Sequence, residues 1–498
     1  MSQHLQKLVL PTFISILSFL LIFGNQLLIS YYFGTSPELD RYLTTLAAIN
    51  FLLFYIYPIR ETLTSSTSLS TYGKPSELNE VFSAVIAILL LLSTLLSLVL
   101  TIFHNELSVN DYVSGSKDGV LLLYILIYLF LLPISEAFNS FLIVLNLFLH
   151  QALVRLGSIL TIFISIVLLS TTLGVSSLLL GLIFAQLFNI FMSGLLLMLN
   201  GLRPKWQGFR VLTRIPYAFQ AFITISVTSL FGLFHAFVEK LTMLSMMPGL
   251  VASYFYGISI VNVLISVLTF PFINFIWPKF VDLIKCNEED RIFSYACNRM
   301  RHVIILLIAL ASFIGYFSLE IINLLFKRGE FTSQSSMITA EMLSILLCAA
   351  IPVCVAAIFS KVLFAQKHFI IVMFSGVFSS LSGISIILIA KAIDSITLIQ
   401  WNWVISTFLG MIIISTRLLI QQGNLYKTFF SFVSYTLRVC IIVSTSLFLT
   451  PPLPNGLPNK QEEFLGLLFS FFVFILIFAL LAILLRVINL DYRTRKYA

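Results

Sequence analysis

The sequence predicts an all-α membrane protein that crosses a lipid bilayer about fourteen times. Of its 498 residues, 59% are hydrophobic and only 10% are charged, whereas soluble domains carry about 25% charged residues. The mean hydropathy is +1.04. So few charges cannot cover the surface of a soluble protein of this length, and we conclude that lipid is the solvent for most of the chain.

Apolar runs long enough to span a bilayer follow one another along nearly the whole chain. A spanning helix needs about 20 mostly apolar residues. Runs that meet this requirement lie near 9–33, 42–66, 81–103, 119–145, 152–173, 175–200, 217–239, 250–277, 302–325, 336–360, 369–391, 398–420, 436–450 and 464–486. They predict helices and not barrel strands, because a barrel strand has about 9–11 residues and alternates in polarity. The thirteenth run is the shortest.

The basic residues set the predicted orientation. If the N-terminus is placed inside and the sides alternate, 22 of the 29 Lys and Arg fall on the inside, as expected of cytoplasmic loops. Both termini, including the basic tail Arg493–Lys496, are then cytoplasmic. The net charge of +8 therefore reflects topology, and we expect no nucleic acid partner.

Several function classes lack sequence support. No nucleotide-binding P-loop is present, which excludes an ATP-driven pump contained in this one chain. The five cysteines show no CxxC spacing and the histidines no metal-ligand spacing. No arrangement of a nucleophile with a base stands out in the sequence. The sequence thus predicts no metal, no cofactor and no enzyme.

Ionisable residues inside the spans are functional candidates, because they are costly in hydrocarbon unless they face a cavity or a partner. Arg60 and Glu61 close the second span. Two interpretations stay open for them. They form a neutralising pair at the cytosolic headgroups, or they line a cavity beside a helix that is kinked at Pro58.

Glu136 lies deep in the fourth span, and Pro133 and Asn139 accompany it. Broken backbone hydrogen bonds and polar groups therefore cluster at this depth. We expect Glu136 to respond to a proton or a cation, with a buried structural hydrogen bond as the alternative.

Two further polar sites complete the candidates. Glu239 and Lys240 close the seventh span, where they pair with one another at the outer interface or contact a substrate. Asn25 and Gln26 give the first span a polar patch at mid-membrane depth. Such a patch lines a cavity or bridges neighbouring helices.

Four segments, in order along the chain, resemble motifs of one transporter family. They are YYFGTSPELDRY at Tyr31–Tyr42, VLNLFLHQ at Val144–Gln151, VEKLTMLSMMPGLVASYFYG at Val238–Gly257 and LLFKRGEFT at Leu324–Thr332. Together they resemble the lipid II flippase (MviN/MurJ-like) family of the multidrug/oligosaccharidyl-lipid/polysaccharide exporter superfamily. Asp40, Arg328 and Gly329 occupy motif positions.

The resemblance implies an architecture and an activity. It implies two six-helix lobes that face each other in a V, here residues 1–200 and 201–425, with two further helices in 426–498. The implied activity is alternating access in the bacterial cytoplasmic membrane without ATP. It carries a polyprenyl-diphosphate-linked saccharide outward, for peptidoglycan or for exopolysaccharide or O-antigen export. The expected partners are this lipid-linked saccharide, membrane lipids, and a coupling cation or proton.

The chain departs from the family at the arginines that suit a diphosphate. Family members carry them in span one, where this chain has Phe19 and Asn25. They carry others at the positions of Ala47–Asn50 and in span eight near Tyr256–Ser259. A guanidinium binds phosphate oxygens bidentately, so Arg60 substitutes for them or the cargo differs. A cation-coupled multidrug-type antiporter and a transport-inactive membrane scaffold are the alternatives.

Overall fold

The computed structural model describes residues 2–67, 75–103, 118–205, 208, 218–286, 288, 290–366, 368–421, 425–452 and 460–484. Over these residues the protein forms seventeen helices and no strand. The predicted all-α fold class is confirmed. The basic tail, on which the predicted orientation partly depends, lies outside the described residues.

Two compact units divide the chain. The first comprises Met1–Ala252 and Arg328–Phe331, and the second comprises Ser253–Lys327 and Thr332–Ala498. The first eight helices are α1 (Ser2–Phe33), α2 (Pro37–Leu52), α3 (Ile56–Thr67), α4 (Pro75–Phe103), α5 (Asp118–Val144), α6 (Phe148–Leu173), α7 (Ser176–Leu199) and α8 (Ala218–Met246).

The remaining nine helices begin at the junction of the two units. They are α9 (Leu250–Lys285), α10 (Asp290–Tyr316), α11 (Ser318–Phe326), α12 (Ser333–Leu347), α13 (Ala350–Ala365), α14 (Phe369–Ala392), α15 (Ile396–Gln421), α16 (Leu425–Leu449) and α17 (Lys460–Leu484).

Eleven of the described helices, with α12 and α13 taken as one, are long and apolar enough to cross a membrane. The pair α2 and α3, bent by 53°, would make a twelfth span. Two shorter apolar stretches, Leu17–Phe33 and Leu437–Leu449, coincide with the predicted first and thirteenth spans. The count of fourteen therefore stays a prediction.

The bend between α2 and α3 lies within one turn before Pro58. The helix breaks between Leu52 and Ile56. Proline has no N–H to donate to the carbonyl four residues earlier, and its ring clashes with that carbonyl. Here that carbonyl belongs to Phe54, which lies in the break, so the position of the bend agrees with a kink caused by Pro58.

The first unit is held together by apolar packing and by helix-bridging polar groups. In the unit, α6 packs on α7 and α1, α5 packs on α3, α4, α6 and α7, and α8 packs on α2 and α3. The ring centroids of Phe82 and Phe141 are 4.9 Å apart at the α4–α5 contact. Leu168 and Phe191 are about two-thirds exposed, as expected for side chains that face lipid.

The second unit packs α14 on α15, α10 on α13 and α16 on α17. The C-terminal helices contact the rest of this unit through α10. There the ring centroids of Phe313 and of Phe474 on α17 are 5.4 Å apart. The predicted lobes are 1–200, 201–425 and 426–498. The two units have different boundaries, because α8 belongs to the first unit. The lobe boundaries stay a prediction.

Candidate functional site

An ion-pair cluster joins α3 to α5 within the first unit. Arg60 Nη1 lies 3.6 Å from Glu136 Oε2, and Arg60 Nη2 lies 3.7 Å from Glu61 Oε1. The side chains of Arg60, Glu61 and Glu136 are 39%, 37% and 29% exposed. The structure therefore places the Arg60–Glu61 pair beside Glu136, which the sequence selects independently of that pair.

Aromatic side chains border this cluster. The guanidinium of Arg60 lies 5.1 Å from the ring centroid of Tyr57, one turn earlier on α3. Tyr128 of α5 interacts electrostatically with Glu136. Glu136 was expected deep in its span, but it lies nearer the C-terminal end of α5. The helix ends at Val144, about two turns beyond Glu136.

Arg155 of α6 is the residue that sequence reasoning missed. Its charge interacts with those of Glu136 and Arg60, and its guanidinium lies 5.7 Å from the ring centroid of Phe19 on α1. In the sequence, Arg155 is one of the 22 basic residues on the predicted cytoplasmic side. Its position within the fifth predicted span, 152–173, was the signal that could have identified it.

Asn25 contacts the same side of α6. Its Nδ2 donates to the carbonyl of Ile159 at 3.4 Å, and Ile159 lies one turn beyond Arg155. Within the described residues, Asn25 Oδ1 and Gln26 Oε1 are buried and accept no hydrogen bond. Asn25 thus bridges α1 to α6. Bridging neighbouring helices was one of the two roles that the sequence left open for it.

Asn139 also bridges helices. Ser193 of α7 donates to Asn139 Oδ1 at 3.5 Å and is within 3.1 Å of Asn189 Oδ1. Ser135, which lies on α5 like Asn139, donates to Gln186 Oε1 of α7. This polar row lies between α5 and α7, whereas Glu136 interacts with α3 and α6.

Glu239 and Lys240 form a second charged pair. Glu239 is only 3% exposed, and Lys240 interacts electrostatically with it. The expectation that they close their span was wrong, because α8 continues to Met246, about two turns further. They lie on a different helix from the Arg60 cluster.

Asp40, a motif position, caps the beginning of α9. Its Oδ2 accepts from the backbone N–H of Gly249 at 2.5 Å, and its Oδ1 accepts from that of Ala252 at 2.7 Å. Asp40 is fully buried. A carboxylate at this place satisfies helix N–H groups that have no partner within the helix and complements the helix dipole.

Gly329, in the LLFKRGEFT motif, allows the backbone to approach the end of α1. It has a φ of +57°, and a Cβ there would overlap the carbonyl of Tyr31. The next residue, Glu330, donates its N–H to that carbonyl at 3.1 Å. Arg328 beside it is exposed. This motif therefore fixes a loop on α1.

The fold and the buried and half-buried charges within its spans define a polytopic α-helical transporter. More particularly, the chain belongs to the lipid II flippase MurJ family, whose model matches residues 29–451. The resemblance drawn from the four motifs is confirmed. The family consists of transporters and not of catalysts, and it places the chain in the bacterial inner membrane as a multi-pass protein.

Solved structures share the fold at low sequence identity. The lipid II flippase MurJ in an inward closed conformation has a TM-score of 0.75 at 18% identity, and the match covers 96% of this chain and 100% of that one. An inward-facing MATE-family multidrug resistance transporter of the MOP superfamily has a TM-score of 0.64 at 12% identity, covering 82% and 96%. A MOP-superfamily transporter from Pyrococcus furiosus has a TM-score of 0.61 at 12% identity, covering 84% and 96%. No curated protein is significantly similar in sequence.

Proposed function

We propose that this protein flips a polyprenyl-diphosphate-linked saccharide, lipid II of peptidoglycan synthesis in the first place, outward across the cytoplasmic membrane by alternating access. Family membership supports the class of cargo. The observation that carries the proposal for this chain is the half-exposed guanidinium of Arg60 beside Glu136. It supplies a cation for the diphosphate within a membrane-embedded unit.

The two ion pairs that Arg60 makes with carboxylates are long. Its nitrogen–oxygen distances to Glu136 and Glu61 are 3.6 and 3.7 Å, longer than the about 2.7–2.9 Å of a close charge-assisted hydrogen bond. A diphosphate can offer two oxygens to the planar guanidinium, which is a better geometric match. We therefore assign the diphosphate to Arg60.

Arg155 provides the second cation. The family places an arginine in span one where this chain has Phe19, and the guanidinium of Arg155 lies over the ring of that Phe19. In our proposal Arg155 of α6 therefore supplies the positive charge that α1 lacks. This accounts for an anion site despite the missing family arginines.

The finer parts of the proposal concern cargo, coupling and orientation. Exopolysaccharide and O-antigen precursors carry the same diphosphate and would use the same arginines. The coupling cation or proton acts through Glu136. Both termini are cytoplasmic, as the charge bias of the loops predicts.

Complementation tests the proposal. We expect the chain to restore growth to a conditional lipid II flippase mutant, and Arg60→Ala and Arg155→Ala to abolish that rescue at unchanged membrane levels. Arg60→Lys should rescue partially, because it keeps the charge and loses the bidentate geometry. Arg291→Ala is the matched control, since Arg291 forms an exposed surface pair with Glu288.

Full rescue by Arg60→Ala would contradict the assigned role of Arg60. Rescue of an O-antigen flippase mutant but not of the lipid II mutant would assign the other glycan. Drug efflux without either rescue would favour the antiporter, and no transport of any kind would favour the scaffold.

A further inference from the structure

We infer that Glu136 is a proton-binding site whose occupancy is linked to that of the anion site, so that the substrate's diphosphate and one proton bind together. This inference rests on the proposed function and adds to it the identity of the coupled ion. It follows from the charges around Arg60, from their positions and from the low dielectric of a membrane-spanning unit.

The charges of the cluster cancel without substrate. Arg60 and Arg155 contribute two positive charges, and Glu61 and Glu136 contribute two negative ones. A diester diphosphate adds two negative charges to this neutral site. Net charge inside a bilayer is costly, so the loaded site is more stable when one carboxylate becomes neutral.

Glu136 is the carboxylate that becomes neutral. It interacts with both Arg60 and Arg155, and its side chain is less exposed than that of Glu61. The diphosphate competes with Glu136 for these two guanidinium groups. Once the arginines turn to the phosphates, the Glu136 carboxylate lies near two phosphate charges of its own sign, and a proton on Glu136 removes that repulsion.

The helices packed against α5 bring few other titratable groups to Glu136. α3 contributes Tyr57 and Glu61 besides Arg60, α6 contributes Arg155, and Tyr128 belongs to α5 itself. α7 carries no charged residue, and the one charged side chain described on α4, that of Glu80, lies near the beginning of that helix.

A proton suits this site better than a metal cation does. A sodium ion would lie beside a guanidinium already 3.6 Å from the carboxylate, and the two positive charges would repel each other. The described residues also include no group of three or more His, Cys, Asp or Glu that could hold a metal. A proton from water instead forms an O–H bond on the carboxylate, and that O–H can donate to a phosphate oxygen.

Binding measurements on the full-length protein in nanodiscs test the linkage. The probe is a farnesyl-diphosphate-linked N-acetylglucosamine, a diester whose phosphates keep their charge near neutral pH. If a proton binds with each probe, the dissociation constant measured from about pH 6 to about pH 8 should rise with pH, by up to about tenfold per pH unit. Glu136→Gln should bind the probe with a dissociation constant that changes less than about twofold over this range.

A matched variant controls for the loss of a carboxylate. Glu288→Gln removes an exposed acid of the second unit, outside the cluster. It should keep the pH dependence of the wild type. A second measurement needs no variant: titration of the wild-type protein in buffers of different ionisation enthalpy should show uptake of about one proton per bound probe.

The outcomes separate the two proposals. Wild-type binding without proton uptake would overturn this inference and leave the proposed function standing. Uptake that persists in Glu136→Gln, or that disappears in Glu288→Gln, would also overturn it. Absence of probe binding at every pH would overturn the proposed function, and this inference with it.

Discussion

Asp40 and Arg60 show two different uses of a charged residue in this protein. The carboxylate of Asp40 is fully buried and accepts two backbone N–H groups at the beginning of α9. The guanidinium of Arg60 is partly exposed and has longer ion-pair distances. Asp40 therefore stabilises the backbone, whereas we propose that Arg60 exchanges its ionic partners when substrate binds.

We expect Asp40→Asn to lower the free energy of unfolding by about 1–3 kcal/mol, because a hydrogen bond from a buried backbone N–H loses its charged acceptor. Thermal unfolding in detergent should show a lower melting temperature. Glu38→Gln, an exposed acid in the first turn of the same helix, is the control and should melt like the wild type. Equal melting temperatures for the two variants would contradict the capping role.

Sequence reasoning at this scale selected the charged residues of the cluster and could not pair Glu136 with Arg60. Arg60, Glu61 and Glu136 were recognisable because charged residues are rare in apolar spans. That Glu136 contacts Arg60 depends on how α3 packs on α5, and no local pattern contains that information. Arg155 was overlooked because a basic residue near the inner end of a span also fits the rule for topology.

Among the elements, α5 carries two functions on two of its sides. Ser135 and Asn139 are directed to α7, where they meet Gln186 and Ser193. Glu136 meets Arg60 of α3. The helix is therefore both a packing element of the first unit and a wall of the candidate site.

Asn139→Ala should separate these two functions. We expect a loss of about 0.6–2 kcal/mol in stability, the usual range for a polar bridge between membrane helices, and undiminished rescue of the flippase mutant. Melting temperature and growth are measured on the same variant. Lost growth at an unchanged melting temperature would instead place Asn139 in the transport pathway.

The predicted spans match most helices closely and fail where the helix is broken. The run 119–145 became Asp118–Val144, and 369–391 became Phe369–Ala392. The runs 42–66, 302–325 and 336–360 each became two helices. Hydropathy averages over about 20 residues, so it does not detect an interruption of a few residues such as the break between Leu52 and Ile56.

At the scale of the whole molecule, composition predicted the all-α membrane fold and four ordered motifs predicted the family. The division into units was less accessible. α8 groups with the first unit through α2 and α3, and such grouping depends on packing between distant parts of the chain. The motif residues Asp40 and Gly329 proved to be structural, which their sequence pattern alone did not reveal.

Cysteine labelling checks the predicted orientation. With the other four cysteines replaced by Ser, exposed Cys286 should react with a membrane-impermeant maleimide only in inverted membrane vesicles. In a cysteine-free background, Lys391→Cys, at an exposed position on the predicted outer side, should react only in intact cells. The reverse pattern would place both termini outside.

The cancelling charges of Arg60, Arg155, Glu61 and Glu136 have a consequence for energetics. Moving one elementary charge through the membrane potential changes the free energy by about 2.3 kcal/mol per 100 mV. In the proposed alternating cycle, the charges of these four residues cancel in the empty site, so voltage does no work on them during its return. The loaded site carries the negative charge that the lipid adds, less the proton inferred at Glu136. An inside-negative potential would therefore act only on the half of the proposed cycle that carries cargo outward, and it would favour that direction.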